Sequence, residues 1–196
     1  MNHSLFTSLR RLIDEAITFD DLSSAYKFAR EGEQKALIME CAGEVMYFRA
    51  QFAIIEGFFE EALTLLRKAL VFNPTDGAAY NDIALCMIEL GRIEEVCEFF
   101  DQGIAVEPDY ATIHHNKGWF LNKIAQHEEA LVCFQRALEL EPSRAVTYEN
   151  MADAYELLGC MPEAIAAYKQ AISCLKGEFA PIREQLEQEV LRLEYA

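Results

Sequence analysis

Apolar residues recur at intervals of three and four along most of the chain, as in Leu63, Leu66, Leu70 and Ile83, Met87, Leu90. That spacing keeps them on one face of an α-helix. No segment carries a credible strand pattern, so the expected fold is all-α. The helical pattern is itself repeated: Pro74, Pro108 and Pro142 stand 34 residues apart, and most of the chain runs in step with them. A fixed period of that length predicts stacked copies of one supersecondary unit, each packed only on its neighbours.

With units starting at Gly43, Gly77, Ala111 and Ala145, the columns sort by size. Slot eight is Ala50, Ala84, Gly118 and Ala152; slot twenty is Ala62, Val96, Ala130 and Ala164; slot twenty-seven is Ala69, Gly103, Ala137 and Ala171. Slot twenty-four holds a large partner, Leu66, Phe100, Phe134 and Tyr168. Small residues let helix backbones approach, and large ones opposite fill the space between them. Gly57, Gly91 and Gly159, with Ala125 in the third unit, stand where the first helices should end. Asp76, Asp109 and Ser143 follow the prolines as expected helix starters. Each unit thus reads as two antiparallel helices of about a dozen residues joined by a short turn.

These columns resemble the tetratricopeptide repeat, which expects aromatics at slots four, eleven and twenty-four, small residues at eight, twenty and twenty-seven, and proline at thirty-two. Unit four has Tyr148, Ala152, Tyr155, Ala164, Tyr168 and Ala171, with Lys176 in place of the proline. Units two and three have Tyr80, Phe100, Pro108 and Gly118, Ala130, Phe134, Ala137, Pro142; unit one departs most, with Met46, Arg49 and Ala53. The resemblance spans residues 43–178 and implies a right-handed α-solenoid of four units, 43–76, 77–110, 111–144 and 145–178. It further implies a non-enzymatic protein-interaction scaffold, adaptor or chaperone-like, whose first helices line a concave groove. The slots that commonly reach that groove hold Tyr47 and Gln51, then Asn81, Asp82 and Leu85. They continue with His115, Asn116, Trp119, Asn122 and Lys123, and end with Glu149, Asn150 and Asp153. Such a groove is polar, amide-bearing and mostly acidic, suited to a peptide or helix that is basic or neutral. Members that clamp an acidic tail use Lys and Asn in one unit, Asn in the next and Lys and Arg in a third, where Tyr47, Gln51, Asp82, Thr112 and Asn116 stand here, which argues against that mode. Asn116 and Asn150 share slot six, where one amide can both donate to and accept from a peptide backbone. Trp119 is either an anchor for a partner or packing against the next unit.

The flanks fall outside the columns. In residues 1–42, Leu5, Leu9, Leu12, Ile13 and Ala16 make one amphipathic stretch, and Asp20-Asp21 open another. Glu33 to Cys41 reads as a helix leading into Glu44. This segment is expected to be a helical cap or degenerate repeat, the alternative being a dimerisation element. In residues 179–196, Pro181 starts a stripe of Ile182, Leu186, Val190 and Leu193, a capping helix expected to cover unit four.

A net charge of −16 argues against nucleic acid and anionic membrane surfaces as partners. The six cysteines include no C-x-x-C pair and read as reduced small hydrophobes; neither a metal nor a cofactor is expected. His114 and His115 point about 100° apart on a helix, so packing explains them better than a shared ion. No phosphate loop, G-x-S-x-G or H-E-x-x-H occurs, and no apolar run approaches a membrane span. The reading is a cytoplasmic, non-enzymatic binder of protein or peptide. Its alternative is a structural subunit that self-associates through its terminal helices or convex face as a homo-oligomer.

Overall fold

The apolar stripes become helices in the computed structural model, which describes residues 3–175 and 179–195. Eleven α-helices and no strand occur among the described residues: α1 His3–Thr18, α2 Leu22–Ile38, α3 Ala42–Ile55, α4 Phe59–Phe72, α5 Gly77–Glu89, α6 Val96–Val106, α7 Ala111–Lys123, α8 His127–Leu140, α9 Ala145–Leu157, α10 Met161–Cys174 and α11 Ala180–Glu194. Two compact units form, one up to Pro108 and one from Asp109. Within each, helices pack in chain order: α1 to α6 in the N-terminal unit, α7 to α11 in the C-terminal one. Lys176 and the expected boundary at 178 lie outside the described residues.

The size columns are the seams of both units. Ala50, Ala84 and Ala152 are fully buried, as are Ala62, Val96, Ala130 and Ala164 and the large residues Leu66, Phe100 and Phe134. Gly118 shows why the column must be small: a Cβ there would lie 2.8 Å from the Phe134 ring and 3.1 Å from the Ala130 carbonyl oxygen. Gly57, Gly91 and Gly159 end their helices at φ +78°, +72° and +76°, the left-handed region glycine enters freely. Ala125 holds the same place at φ +61°.

Two expectations need correction. Of the supposed helix starters only Asp76 caps, accepting from the Ala79 N–H; α7 and α9 begin after Tyr110 and Arg144, and Asp109 instead pairs with Arg136 at 2.9 Å. Helix packing sets the start at slot one, one residue too far along for Asp109 or Ser143 to cap it. Glu33 to Cys41 does not lead into Glu44: it is the end of α2 plus a turn through Glu40 at φ +54°. The second helix of the second repeat also opens through a 3-10 turn, Ile93–Glu95, that the periodicity did not foretell.

The flanks complete the units. Asp21 caps α2 through the Ser24 N–H, and Phe6, Leu9, Ile13 and Ala16 bury one side of α1. At the other end Leu186, Val190 and Leu193 pack into a cluster with Ala152, Ala164, Ala167, Tyr168 and Ala171. Lys169 to Glu194 at 2.7 Å and Arg192 to Glu156 at 2.7 Å tie α11 to α10 and α9.

Candidate functional site

The groove slots of the N-terminal unit are filled from within. Tyr47, Gln51, Asn81 and Asp82 are buried, and Leu85 is partly so, which corrects the expectation that they line an open surface. Their polar atoms meet one another: Gln51 Nε2 donates to Asp82 Oδ2 at 2.6 Å and Asn81 Nδ2 to Oδ1 at 3.0 Å. Above them Arg10 of α1 reaches across α3 to the start of α5. Its guanidinium lies 3.7 Å from the centre of the Tyr47 ring, donates twice to Asp76 at 2.6 and 2.8 Å, and donates to Glu44 at 2.9 Å. Burial works against the Arg10 cation, but Asp76, Tyr47 and Glu44 outweigh it and raise its pKa. Burial pushes the Asp82 carboxyl up, against bonds from Asn81, Gln51 and Tyr47 and the charge of Arg10. A carboxylate this enclosed is held by its hydrogen bonds rather than offered to a ligand.

In the C-terminal unit the same slots stay more open. His115 is the exception: it is buried, bonded to Thr147 Oγ1 at 2.9 Å, and burial followed by the nearby Arg144 charge pulls its pKa down to about 3. A neutral packing histidine therefore replaces the expected groove residue. Asn122 is engaged with His127 Nδ1 at 2.5 Å. Asn116, Trp119, Glu149, Asn150 and Asp153 are partly exposed and Lys123 is exposed, its Nζ 5.8 Å from the Trp119 ring centre. These residues belong to α7 and α9, which touch. Asp153 accepts from the Tyr168 hydroxyl at 2.5 Å, and Arg192 takes Glu156 and Glu189. Glu149 has no hydrogen-bond or ion-pair partner among the described residues; burial and then repulsion from Asp153 raise its pKa. Asp153 is likewise raised, chiefly by burial. The face thus carries two carboxyls that are partly desolvated and incompletely compensated, beside an aromatic ring and two amides.

Profiles of the tetratricopeptide repeat match residues 53–116 and, separately, 111–144 and 145–173. The chain belongs to the tetratricopeptide repeat family. The solved structures agree on the fold of this TPR chain. TTC0263, a thermophilic TPR protein of Thermus thermophilus, is 19% identical with a TM-score of 0.70, over 97% of this chain and 100% of that one. PilF of Pseudomonas aeruginosa is 20% identical with a TM-score of 0.71, over 79% and 69%. YrrB, described as a TPR protein with an unusual peptide-binding site, is 14% identical with a TM-score of 0.61, over 92% and 90%.

No helix among the described residues of this TPR chain is long and apolar enough to cross a membrane, and no group of three His, Cys, Asp or Glu among them could hold a metal ion. Sequence reasoning missed Arg10, whose role depends on a partner 66 residues away at Asp76. A cation flanking the buried stripe of Phe6, Leu9, Ile13 and Ala16 was the available signal.

Proposed function

We propose that this TPR chain is a protein-interaction scaffold that docks a peptide or helix of a partner on the α7–α9 face of its C-terminal unit. The carrying observation is Glu149, a partly buried carboxylate without a partner among the described residues, next to Asp153, which feels Lys123, itself 5.8 Å from the partly exposed Trp119 ring. A lysine or arginine side chain of the ligand would supply the missing charge, while Asn116 and Asn150 can bond its backbone. The N-terminal unit contributes less, because Arg10 already satisfies the equivalent slots. Membership in a family of repeat scaffolds and the peptide site described for YrrB favour the same reading.

Trp119 is the chain's single tryptophan, so its fluorescence reports on this face directly. Peptides bearing spaced Lys or Arg, titrated against charge-reversed versions, are expected to shift the emission, and added salt to weaken the effect. Glu149→Gln with Asp153→Asn should lower affinity about tenfold, or roughly 1.4 kcal/mol. Equal response to acidic and basic peptides, or affinity untouched by those changes and by Asn116→Ala, would remove the proposal.

A further inference from the structure

The N-terminal unit carries an apolar ridge that its own fold leaves uncovered. Helices α2 and α4 end 34 residues apart, so Leu37-Ile38 and Val71-Phe72 are repeat-equivalent pairs one step apart. Ile38 is 81% exposed, Val71 80%, Phe72 61% and Leu37 52%. The two ends adjoin: Phe72 packs on the chain just after the α2 turn, where a Cβ on Gly43 would lie 3.0 Å from its own Cβ. The C-terminal unit has Glu139-Leu140 and Ser173-Cys174 at the equivalent positions, with a polar residue first. Helix formation therefore does not require an apolar residue there.

We infer that this ridge is where two copies of the chain meet about a two-fold axis. Charge supports a second copy as the occupant. One turn before Val71 and Phe72, the exposed Arg67 and Lys68 have no carboxylate partner among the described residues, on a chain whose net charge is −16. Two residues beyond Ile38, the exposed Glu40 has no cationic partner among them. A two-fold pairing sets the α2 end of one copy against the α4 end of the other. That places Glu40 beside Arg67 and Lys68 twice, and Leu37-Ile38 on Val71-Phe72 twice. Four side chains of on the order of 100 Å² each form the apolar centre of an interface of about 800 Å² per partner, with charged residues as its rim.

Sedimentation equilibrium of the full chain over roughly 1–100 μM should show mass rising from 22.3 kDa toward twice that value, as for a dissociation constant on the order of 10 μM. Val71→Glu and Ile38→Glu, both at exposed positions, should each leave a monomer throughout with unchanged circular dichroism. Lys68→Glu and Glu40→Lys should each weaken dimerisation about tenfold, and the two together should restore it. A wild-type chain monomeric at the top concentration overturns the inference and leaves the ridge to another protein. So does a dimer indifferent to Val71→Glu and Ile38→Glu. Failure of the charge exchange to restore assembly overturns the two-fold pairing. None of these readouts involves α7 or α9, so peptide docking stands or falls separately.

Discussion

Both units place a guanidinium beside slots two and five of a first helix, but they deliver it from opposite directions. In the N-terminal unit Arg10 comes from α1, two helices earlier in the chain, and meets Glu44, Tyr47 and the cap residue Asp76. In the C-terminal unit the residue before the next helix is Arg144 itself, donating to Thr112 and Glu141 and lowering the pKa of His115. Each arginine keeps a buried Nε without a hydrogen-bond partner among the described residues. The repeat geometry fixes where a charge can sit; the residues decide whether that charge is consumed internally. Arg10 neutralises the acidic slots around it, whereas Arg144 is taken up by Thr112 and its own near neighbour Glu141 and leaves Glu149 uncompensated. The contrast is the reason the docking proposed above is assigned to the C-terminal unit.

Removing Arg10 breaks that contrast most severely. Arg10→Met strands Asp76 and Glu44 in a largely buried setting, and losing one partner of such a pair costs about 3 kcal/mol. Arg10→Lys should recover little, because an ammonium can neither grip Asp76 with two donors nor stack as a plane on Tyr47. Urea unfolding monitored by circular dichroism measures both. A loss under about 1 kcal/mol would mean the N-terminal unit is closed by apolar packing alone.

The second test is acid. A histidine whose folded pKa lies near 3 is stable as the neutral base above its ordinary value of about 6.5, and that stability drains away as pH falls toward 3. By pH 4.5 the C-terminal unit should have lost about 2.5 kcal/mol from this group. His115→Asn should flatten the dependence, and an unchanged pH profile would show that His115 is protonated within the fold.

These two residues also mark what sequence could and could not reveal. The repeat columns were legible because each slot recurs four times, so Ala50, Ala84, Gly118 and Ala152 reinforce one another. The final helix was legible from its stripe, and the turns from glycines whose positive φ has a steric reason. Arg10 and Arg144 occur once each in their roles, and no period announces them. The groove slots were identified by position, but whether a slot faces a ligand depends on what a neighbouring helix lays over it. That is a tertiary fact, and it buried Tyr47, Gln51, Asn81, Asp82 and His115.

Glycine substitutions probe packing in both units at smaller cost. A Cβ on Gly32 would sit 2.3 Å from the Phe48 ring, which is fully buried and hemmed in. Gly32→Ala should destabilise by about 2 kcal/mol despite the better helix propensity of alanine. At Gly118 the nearest ring atom is 2.8 Å away, so Gly118→Ala should cost about 1 kcal/mol. The reverse order in thermal unfolding would mean that the Phe48 ring yields more readily than the Phe134 ring.

The smallest expected effect is the most informative about the open face. Burial and Asp153 hold the folded pKa of Glu149 above its unfolded value, so the contribution of this group is favourable at low pH and is lost as pH rises through the folded pKa. The sign is opposite to that of His115. Glu149→Gln should therefore stabilise the free protein at pH 7 by a few tenths of a kcal/mol after solvent screening, and the gain should vanish toward pH 4. The same change should weaken binding of a basic peptide. Stability and affinity moving in opposite directions is the signature of a charge kept for a partner. If Glu149→Gln instead destabilised the free chain at pH 7, the carboxylate would have an internal cation, and the C-terminal unit would be closed in the manner of the N-terminal one.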